Sequence, residues 1–485
     1  MSNISRRSFL KKSTALTGAV SLFAISGAKA SGNIIGANDR IRVAVSGVGD
    51  RGTYHISEFG KQPNVEVAWV VDADNKRVQS AVARVEENFK NTPQGAQDIR
   101  KMLDDKSVDA VSIGSCNHWH ALMTIWACQA GKDVYVEKPC SQNLFEGRKM
   151  VEAAEKYNRL VQHGTQRRSE TTWAKAVAAA RSGKYGKLIA AKAYAHRPRG
   201  PLGFKPIAEP PANLDWDLWC GPAPKMEYHA NLAPYNWHWF WDTGNGEIGN
   251  NGVHYFDLCN WLFDQGHPQS VISFGTRFVN DAKSEYKDQA ETPNIQFALY
   301  DFGGVPLVFE SCNLAGAKDK WQPREEAEFL TEDGAIRGGK FFPNDGKEAV
   351  NIDVEFEAPA PGGPFGNFLN AMRNRDSVKL NAPIAKGFYS AAICHWANAA
   401  YRTGKPDTLA SIREKMGDNP VMQESIKQVM TNALTVLKVK LDDIPLVVSS
   451  KLAIDRDKDK FVDNAVADQF LTRAPRKPFD VPEQV

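Results

Sequence analysis

Three glycines, Gly47, Gly49 and Gly52, stand in the spacing G-x-G-x-x-G within AVSGVGDRG, and Asp72 closes the run NVEVAWVVD further on. The first glycine permits a tight turn, the second lets backbone amides approach a pyrophosphate, and the third lets a strand and a helix pack closely. The N-terminus of the helix that follows adds positive potential. An aspartate about twenty residues beyond such a turn accepts both hydroxyls of a ribose and repels an extra phosphate on it. The chemistry this set supports is the grip of a dinucleotide, NAD in preference to NADP.

A turn of this kind needs an apolar strand before it and a helix after it. Between Arg40 and Gly164, RIRVAVSGVG, NVEVAWVVDAD, VDAVSIGS and DVYVEKP read as strands, with helical stretches such as NKRVQSAVARVEENF and ALMTIWACQAG between them. Strands alternating with helices imply a parallel, doubly wound sheet whose ligand lies at the carboxyl ends of its strands. Beyond Ser169 the pattern changes: KLIAAKAYAH, SVISFGTRFV, NIQFALYDF, VPLVFESCN and EEAEFLTEDGAIRG carry β-branched and aromatic residues, as strands of one open, largely antiparallel sheet do. The expected fold is α/β joined to α+β. A nucleotide domain covers 31–165, a substrate domain 166–405, and a helical extension ending in the polar strap RAPRKPFDVPEQV covers 406–485.

The fourth strand ends in EKP, Glu137, Lys138 and Pro139, where a nicotinamide is expected, and CNHWH ends the strand before it. Together with GVGDRG, GTQRRS and GNGEIGNNGVHYFDLCNWL, these runs resemble the glucose-fructose oxidoreductase and inositol dehydrogenase family (Gfo/Idh/MocA) over most of the chain. The resemblance implies that Lys138 is the catalytic lysine, hydrogen-bonded to the reacting oxygen, and that Pro139 follows a cis peptide bond. It also implies that His254 is the general base, with the acid Asp257 one helical turn beyond it. Cofactor contacts are implied for Asp50 and Arg51 in the turn, Asn117 and His120 in CNHWH, Glu137 beside the lysine, and Gln166 in GTQRRS. One departure matters: many relatives have Asp four residues before the histidine, and this chain has Asn250. An Asn orients a substrate hydroxyl or the imidazole but cannot stabilise an imidazolium by charge, and on that basis Asn250 joins Lys138 and His254 in the catalytic set.

General chemistry agrees with those roles. Oxidising a secondary alcohol needs a base for the hydroxyl proton as hydride leaves carbon, and a histidine of pKa about 6.5 suits neutral pH. A lysine beside a cationic nicotinamide ring has its pKa lowered by like charge and can share or relay that proton. An aromatic insertion, NLDWDLWCGPAP followed by YNWHWFWDTGNGE, separates the first two strands of the second sheet. Trp faces stack on the C–H faces of sugars, so Tyr235, Trp237, Trp239 and Trp241, with Asn236 and His238 for hydrogen bonds, are candidate saccharide contacts beside Asn250 and His254. Core packing under a loop is an equal alternative for tryptophans at alternate positions. His118 with His120, or His229 with His238 and His254, lack the spacing of a metal motif, and no metal is expected.

SRRSFLKK at the front, the uncharged stretch 13–27 and the small residues around Ala28 and Ala30 read as a twin-arginine leader over 1–30. Its apolar part is too short and too rich in small residues to span about 30 Å of hydrocarbon. This predicts export of the folded protein, cofactor aboard, to the periplasm, with no integral membrane segment after the leader is removed. Of the 60 basic residues, five (Arg6, Arg7, Lys11, Lys12, Lys29) lie in this leader, leaving 55 against 57 acidic ones. So balanced a chain lacks the field that nucleic acid would require, which favours a small saccharide partner, and a homo-oligomer is expected. The seven cysteines are widely spaced, odd in number and without close pairs, which argues against a disulfide framework. Three functions stay open: an NAD-dependent oxidoreductase acting on a sugar or glycoside hydroxyl, an NAD-dependent glycosidase that works through transient oxidation, and a sugar-binding protein without turnover. Within the resemblance, glycosidase relatives tend to lack the EKP lysine, so Lys138 and Pro139 favour the first.

Overall fold

A computed structural model of the protein describes residues 40–278, 288–313, 324–417, 419–437, 440 and 446–485, and the expected leader lies outside them. Six apolar runs, each too short for a stable helix, pair side by side as β1 (Ile41–Ser46), β2 (Val65–Val71), β3 (Gln94–Ala96), β4 (Ala110–Ile113), β5 (Asp133–Val136) and β6 (Val161–His163). Their order is β3-β2-β1-β4-β5-β6, with every pair parallel. Parallel strands need crossovers, and the helices Asp50–Gly60, Asn75–Phe89, Asn117–Gln129 and Leu144–Lys156 supply them. The order reverses between β1 and β4, so the loops leaving these strands part and open a crevice at their carboxyl ends.

Among the described residues the second sheet has 12 strands. Its centre is β7 (Leu188–Ala195), β8 (Ser270–Thr276), β9 (Ile295–Phe302), β10 (Val305–Cys312) and β11 (Glu325–Thr331), in the order β11-β7-β10-β9-β8. Only β7 and β10 pair in parallel, and the other neighbours are antiparallel. Small side chains on β7, Ala191, Ala193 and Ala195, leave room for the helices Val253–Phe263 and Ile384–Thr403 in one continuous core. The region 406–485 does more than extend the fold with helices: Leu446–Val448 and Leu452–Asp455 return to this sheet and pair antiparallel with β8. Runs of three and four residues are too short to show a strand period in the sequence.

The polar segment near residue 480 crosses the helices Asn117–Gln129 and Leu144–Lys156. Arg473 Nη2 donates to Glu146 Oε2 at 2.8 Å, and Arg476 Nη2 donates to Asp217 Oδ1 at 2.6 Å. Phe479 is buried edge-on against the Trp119 ring at 5.5 Å. None of the seven cysteines forms a disulfide, and six are buried as small core residues. Among the described residues no helix is long and apolar enough to cross a membrane.

Candidate active site

A cavity of about 440 Å³ follows the carboxyl ends of β1, β2, β4 and β5. Gly47, Gly49, Asp50, Arg51 and Asp72 line one end. Gly47 has φ +78°, and a Cβ on it would lie 2.4 Å from the Ser115 backbone. A Cβ on Gly52 would lie 1.8 Å from the Gly47 carbonyl oxygen, so Gly52 is a packing residue off the cavity wall. The Asp72 carboxylate accepts the Val48 amide at 2.9 Å and the Asp74 amide at 3.0 Å, which aims it across the end of β2. Arg77, unremarkable in the sequence, also lines the cavity, with its Nη1 only 2.5 Å from where a Gly49 Cβ would stand. Side-chain-free backbone at the turn, an acid at the end of β2 and a nearby guanidinium fit the pyrophosphate and ribose of NAD.

The aromatic insertion reaches over this end. Asn75 donates its amide to the Asn213 carbonyl at 2.8 Å, and Asp215 donates to Ala73 at 3.0 Å, forming a short antiparallel bridge between Asp74 and Leu214. Asn213 Nδ2 donates to Asp74 Oδ1 at 2.6 Å. Leu214, Leu218 and Trp219 thereby join the cavity wall. His118 is a clamp for this insertion, its Nε2 donating to the Trp219 carbonyl at 2.9 Å, and burial drives its pKa down to about 3.

Glu137 is the hub between the turn and the lysine. Its Oε1 accepts from Arg51 Nε at 2.7 Å, His55 Nε2 at 3.1 Å and Gln166 Nε2 at 3.2 Å, and its Oε2 accepts the Lys138 amide at 3.2 Å. Burial pushes the Glu137 carboxyl up, but the Arg51 charge and the His55 hydrogen bond outweigh it and hold it well below the usual carboxylate range. Gln166 therefore acts on the site through Glu137 rather than from the cavity wall. His55 was not anticipated: burial keeps its ring neutral, so it donates to Glu137 and its Nδ1 accepts from Ser112 at 2.8 Å.

Lys138 emerges from the end of β5 onto the cavity wall, and its peptide bond to Pro139 is cis. Its Nζ donates to the main-chain oxygen of Asn250 at 2.7 Å, across the boundary between the two sheets. Burial lowers its pKa, with the charges of Glu137 and Glu247 opposing and those of Arg51 and Arg199 assisting. His120 lines the cavity between two carbonyls, Pro139 at 2.7 Å and Ser115 at 2.9 Å; both favour the protonated ring, and burial outweighs them and lowers its pKa. Asn117 reaches across to Asn245 Oδ1 at 3.0 Å. Asn250 and Asn251 line the catalytic end. His254, at the start of the Val253–Phe263 helix, stands half-buried behind them rather than on the wall. Burial and the charge of Lys138 hold its pKa well below the ordinary histidine value, so it is a neutral base at pH 7. Asp257 does not touch it: Arg168 Nε donates to both its carboxylate oxygens, at 2.8 and 2.9 Å, and Ser390 donates at 2.7 Å.

The expected saccharide wall divides. Tyr235, Trp237 and His238 line the cavity, whereas Asn236, Trp239 and Trp241 do not. Residues 236–239 form a 3-10 turn, not a strand, so Trp237 and Trp239 point to different sides. Trp239 is buried beneath the Arg199 guanidinium, 4.7 Å from its ring centre. Trp237 has both expected characters, since it also packs with Trp216, Trp219 and Phe240 in a satellite core.

A family profile described as an oxidoreductase family with an NAD-binding Rossmann fold matches residues 41–165, and its companion, an oxidoreductase C-terminal alpha/beta domain, matches residues 203–436. Among curated proteins the chain is 30% identical over 176 residues to a glycosyl hydrolase family 109 protein of Shewanella sp. (strain W3-18-1), and 29% identical over 174 residues to the alpha-N-acetylgalactosaminidase of Shewanella oneidensis. Each match covers 32% of this chain and only 38% of the relative's length. Among solved structures it is similar to the WlbA dehydrogenase from Bordetella pertussis in complex with NADH and UDP-GlcNAcA, with 18% identity and TM-score 0.55 over 75% of this chain and 97% of that one. A levoglucosan dehydrogenase in complex with NADH gives 17% identity and TM-score 0.54 over 74% and 96%. At these identities the likeness is one of fold.

Proposed function

Because the chain belongs to the Gfo/Idh/MocA oxidoreductase family and carries its NAD-binding domain, we propose that it is a periplasmic enzyme that moves hydride between a sugar or glycoside hydroxyl and an NAD it does not release. The observation that carries this reading is the Lys138 amine on the same cavity wall as the glycine turn and Asp72, anchored to Asn250 of the opposite domain. Bound NAD supplies the hydride acceptor. Lys138, whose burial favours the deprotonated amine, takes the hydroxyl proton as the C–H hydrogen leaves with its electron pair, and the alcohol becomes a carbonyl. His254, neutral and half-buried behind the wall, shares that proton as a second base. Asn250 and Asn251 orient the substrate's hydroxyls, and Tyr235 and Trp237 offer flat faces to its ring. Retention is supported by the insertion that bridges over the Asp72 end, and export by the twin arginines Arg6 and Arg7. A retained cofactor must be reoxidised in place, so a second carbonyl substrate takes the hydride back in ping-pong order.

The likeness to an alpha-N-acetylgalactosaminidase favours one second reading. There the transient carbonyl acidifies a neighbouring C–H, loss of that proton expels the aglycone, water adds across the double bond that results, and hydride returns to the same sugar. A panel of glycosides, including N-acetylgalactosaminides, added to the purified holoenzyme separates the two. Reduced nicotinamide absorbance with a keto-glycoside product supports the oxidoreductase, while free sugar without net reduction supports the glycosidase. Full NAD content with neither product would overturn both.

A further inference from the structure

We propose that Glu247 and Arg199 form a buried pair of opposite charges that positions and polarises Lys138 for the proton transfer proposed above. Residues Ile248–Gly252 form a π-helical turn, a rare widening of the helix that is frequent at functional sites. Its Asn250 carbonyl is the anchor of the Lys138 amine. Glu247 stands immediately before the turn and is 1% exposed. Its Oε1 accepts from Asn251 Nδ2, and its Oε2 accepts from Arg199 Nε at 2.7 Å. Arg199 follows β7, and its amide donates to the Asn313 carbonyl at 2.9 Å. Its Nη1 lies 3.4 Å from the Tyr235 hydroxyl, and its Nη2 is buried without a hydrogen-bond partner among the described residues.

Arg199 and Asn251 offset the desolvation of the Glu247 carboxylate, but a buried ion pair adds little net stability, which leaves its charges available for another role. The groups facing Lys138 give them one. Glu137 and Arg51 approach from the nucleotide domain and Glu247 and Arg199 from the substrate domain, with His120, His238 and His254 between them. The first pair is tied to the cofactor turn. The second is free of it, so it adjusts the lysine without altering the nucleotide grip.

The inference rests on Lys138 acting as the base, and its test has two readouts. Glu247→Gln removes a negative charge near the amine, so the acid limb of kcat/KM for glycoside oxidation should move to lower pH. Arg199→Gln removes a positive charge and should move it to higher pH, each by on the order of 0.5–1 unit. The double variant should fall back toward the wild type, and Glu247→Asp, which keeps the charge, should leave the limb in place. The same opposite shifts should appear in the titration of the Lys138 ammonium, followed by NMR in 15Nζ-lysine holoenzyme without substrate. Shifts in the NMR titration without glycoside turnover would sink the functional reading and leave the pair standing. Loss of rate with both limb and titration unmoved would reduce Glu247 and Arg199 to scaffolding and overturn the inference, as would a shift in Glu247→Asp.

Discussion

At the nucleotide end of the cleft, Gly47 and Gly52 leave no room for a side chain and Asp72 is aimed by two backbone amides. At the catalytic end, Lys138 is held by a carbonyl 112 residues away and flanked by charges from both domains. The first end is shaped by steric exclusion, imposed by backbone atoms that cannot step aside. The second is shaped by electrostatics assembled from distant elements. Substitutions should therefore separate them: volume damages the first, and charge or functional groups damage the second.

The largest effect is expected from removing the catalytic amine. Lys138→Ala, and likewise His254→Ala, should slow hydride transfer by about 10²- to 10⁴-fold in single-turnover measurements while bound NAD is retained. Wild-type reduction rates in either variant would show that the proton leaves by another route. The mirror experiment is Gly52→Ala, whose Cβ meets a backbone oxygen that cannot step aside. It should cost about 3 kcal/mol of stability and strip the purified protein of NAD, read by melting temperature and by nucleotide released with acid.

Acid should act on the histidines that brace the catalytic side. Burial holds His118, His238 and His395 at about 3 and His163 at about 4. Unfolded, each returns to about 6.5, so below that pH the unfolded chain binds protons that the folded one refuses. Stability should thus fall as pH drops from about 6.5 toward 4, by about 1.4 kcal/mol per pH unit for each such ring. His395→Gln should flatten that slope by one ring's share in denaturant titrations, and an unchanged slope would count against a neutral buried imidazole. The smallest effect concerns cofactor choice. Asp72→Ala, with Arg77 left beside the site, should relax the preference for NAD over NADP by on the order of tenfold, about 1.4 kcal/mol, measured from the nucleotides that copurify.

How much of this was legible follows the same division. The glycine turn, Asp72 and the alternation of strands and helices are local patterns, and each stands where its spacing places it. The EKP lysine was legible only through the resemblance, and its anchor was not, because a main-chain carbonyl has no signature in the sequence. His55 reaches Glu137 across 82 residues, and nothing around either residue marks the partnership. The tryptophans were legible only as a set of candidates, because their spacing does not say which ring meets the cavity: the 3-10 turn at Asn236–Trp239 puts Trp237 on the wall and Trp239 in the packing. Asp257 sits one turn from His254, yet a fully buried carboxylate needs a strong partner, and Arg168 provides it.

The bridge between Asp74 and Leu214 makes the departure of the nucleotide a matter of timing. Residues 213–215 must peel away from 73–75 before the Asp72 end opens, and three hydrogen bonds break when they do. At about 1 kcal/mol each, these bonds alone would lengthen the residence time of NAD roughly a hundredfold, since each 1.4 kcal/mol of opening is about a factor of ten. Arg476 adds to the delay by holding Asp217 and Gly221 in the same flap. Asn213→Ala or Arg476→Ala should therefore quicken the exchange of bound NAD for labelled NAD while leaving the glycine turn and Asp72 in place. With NAD retained as proposed, the clock for its loss would be the local unfolding of this loop, which these substitutions reset without touching the cofactor.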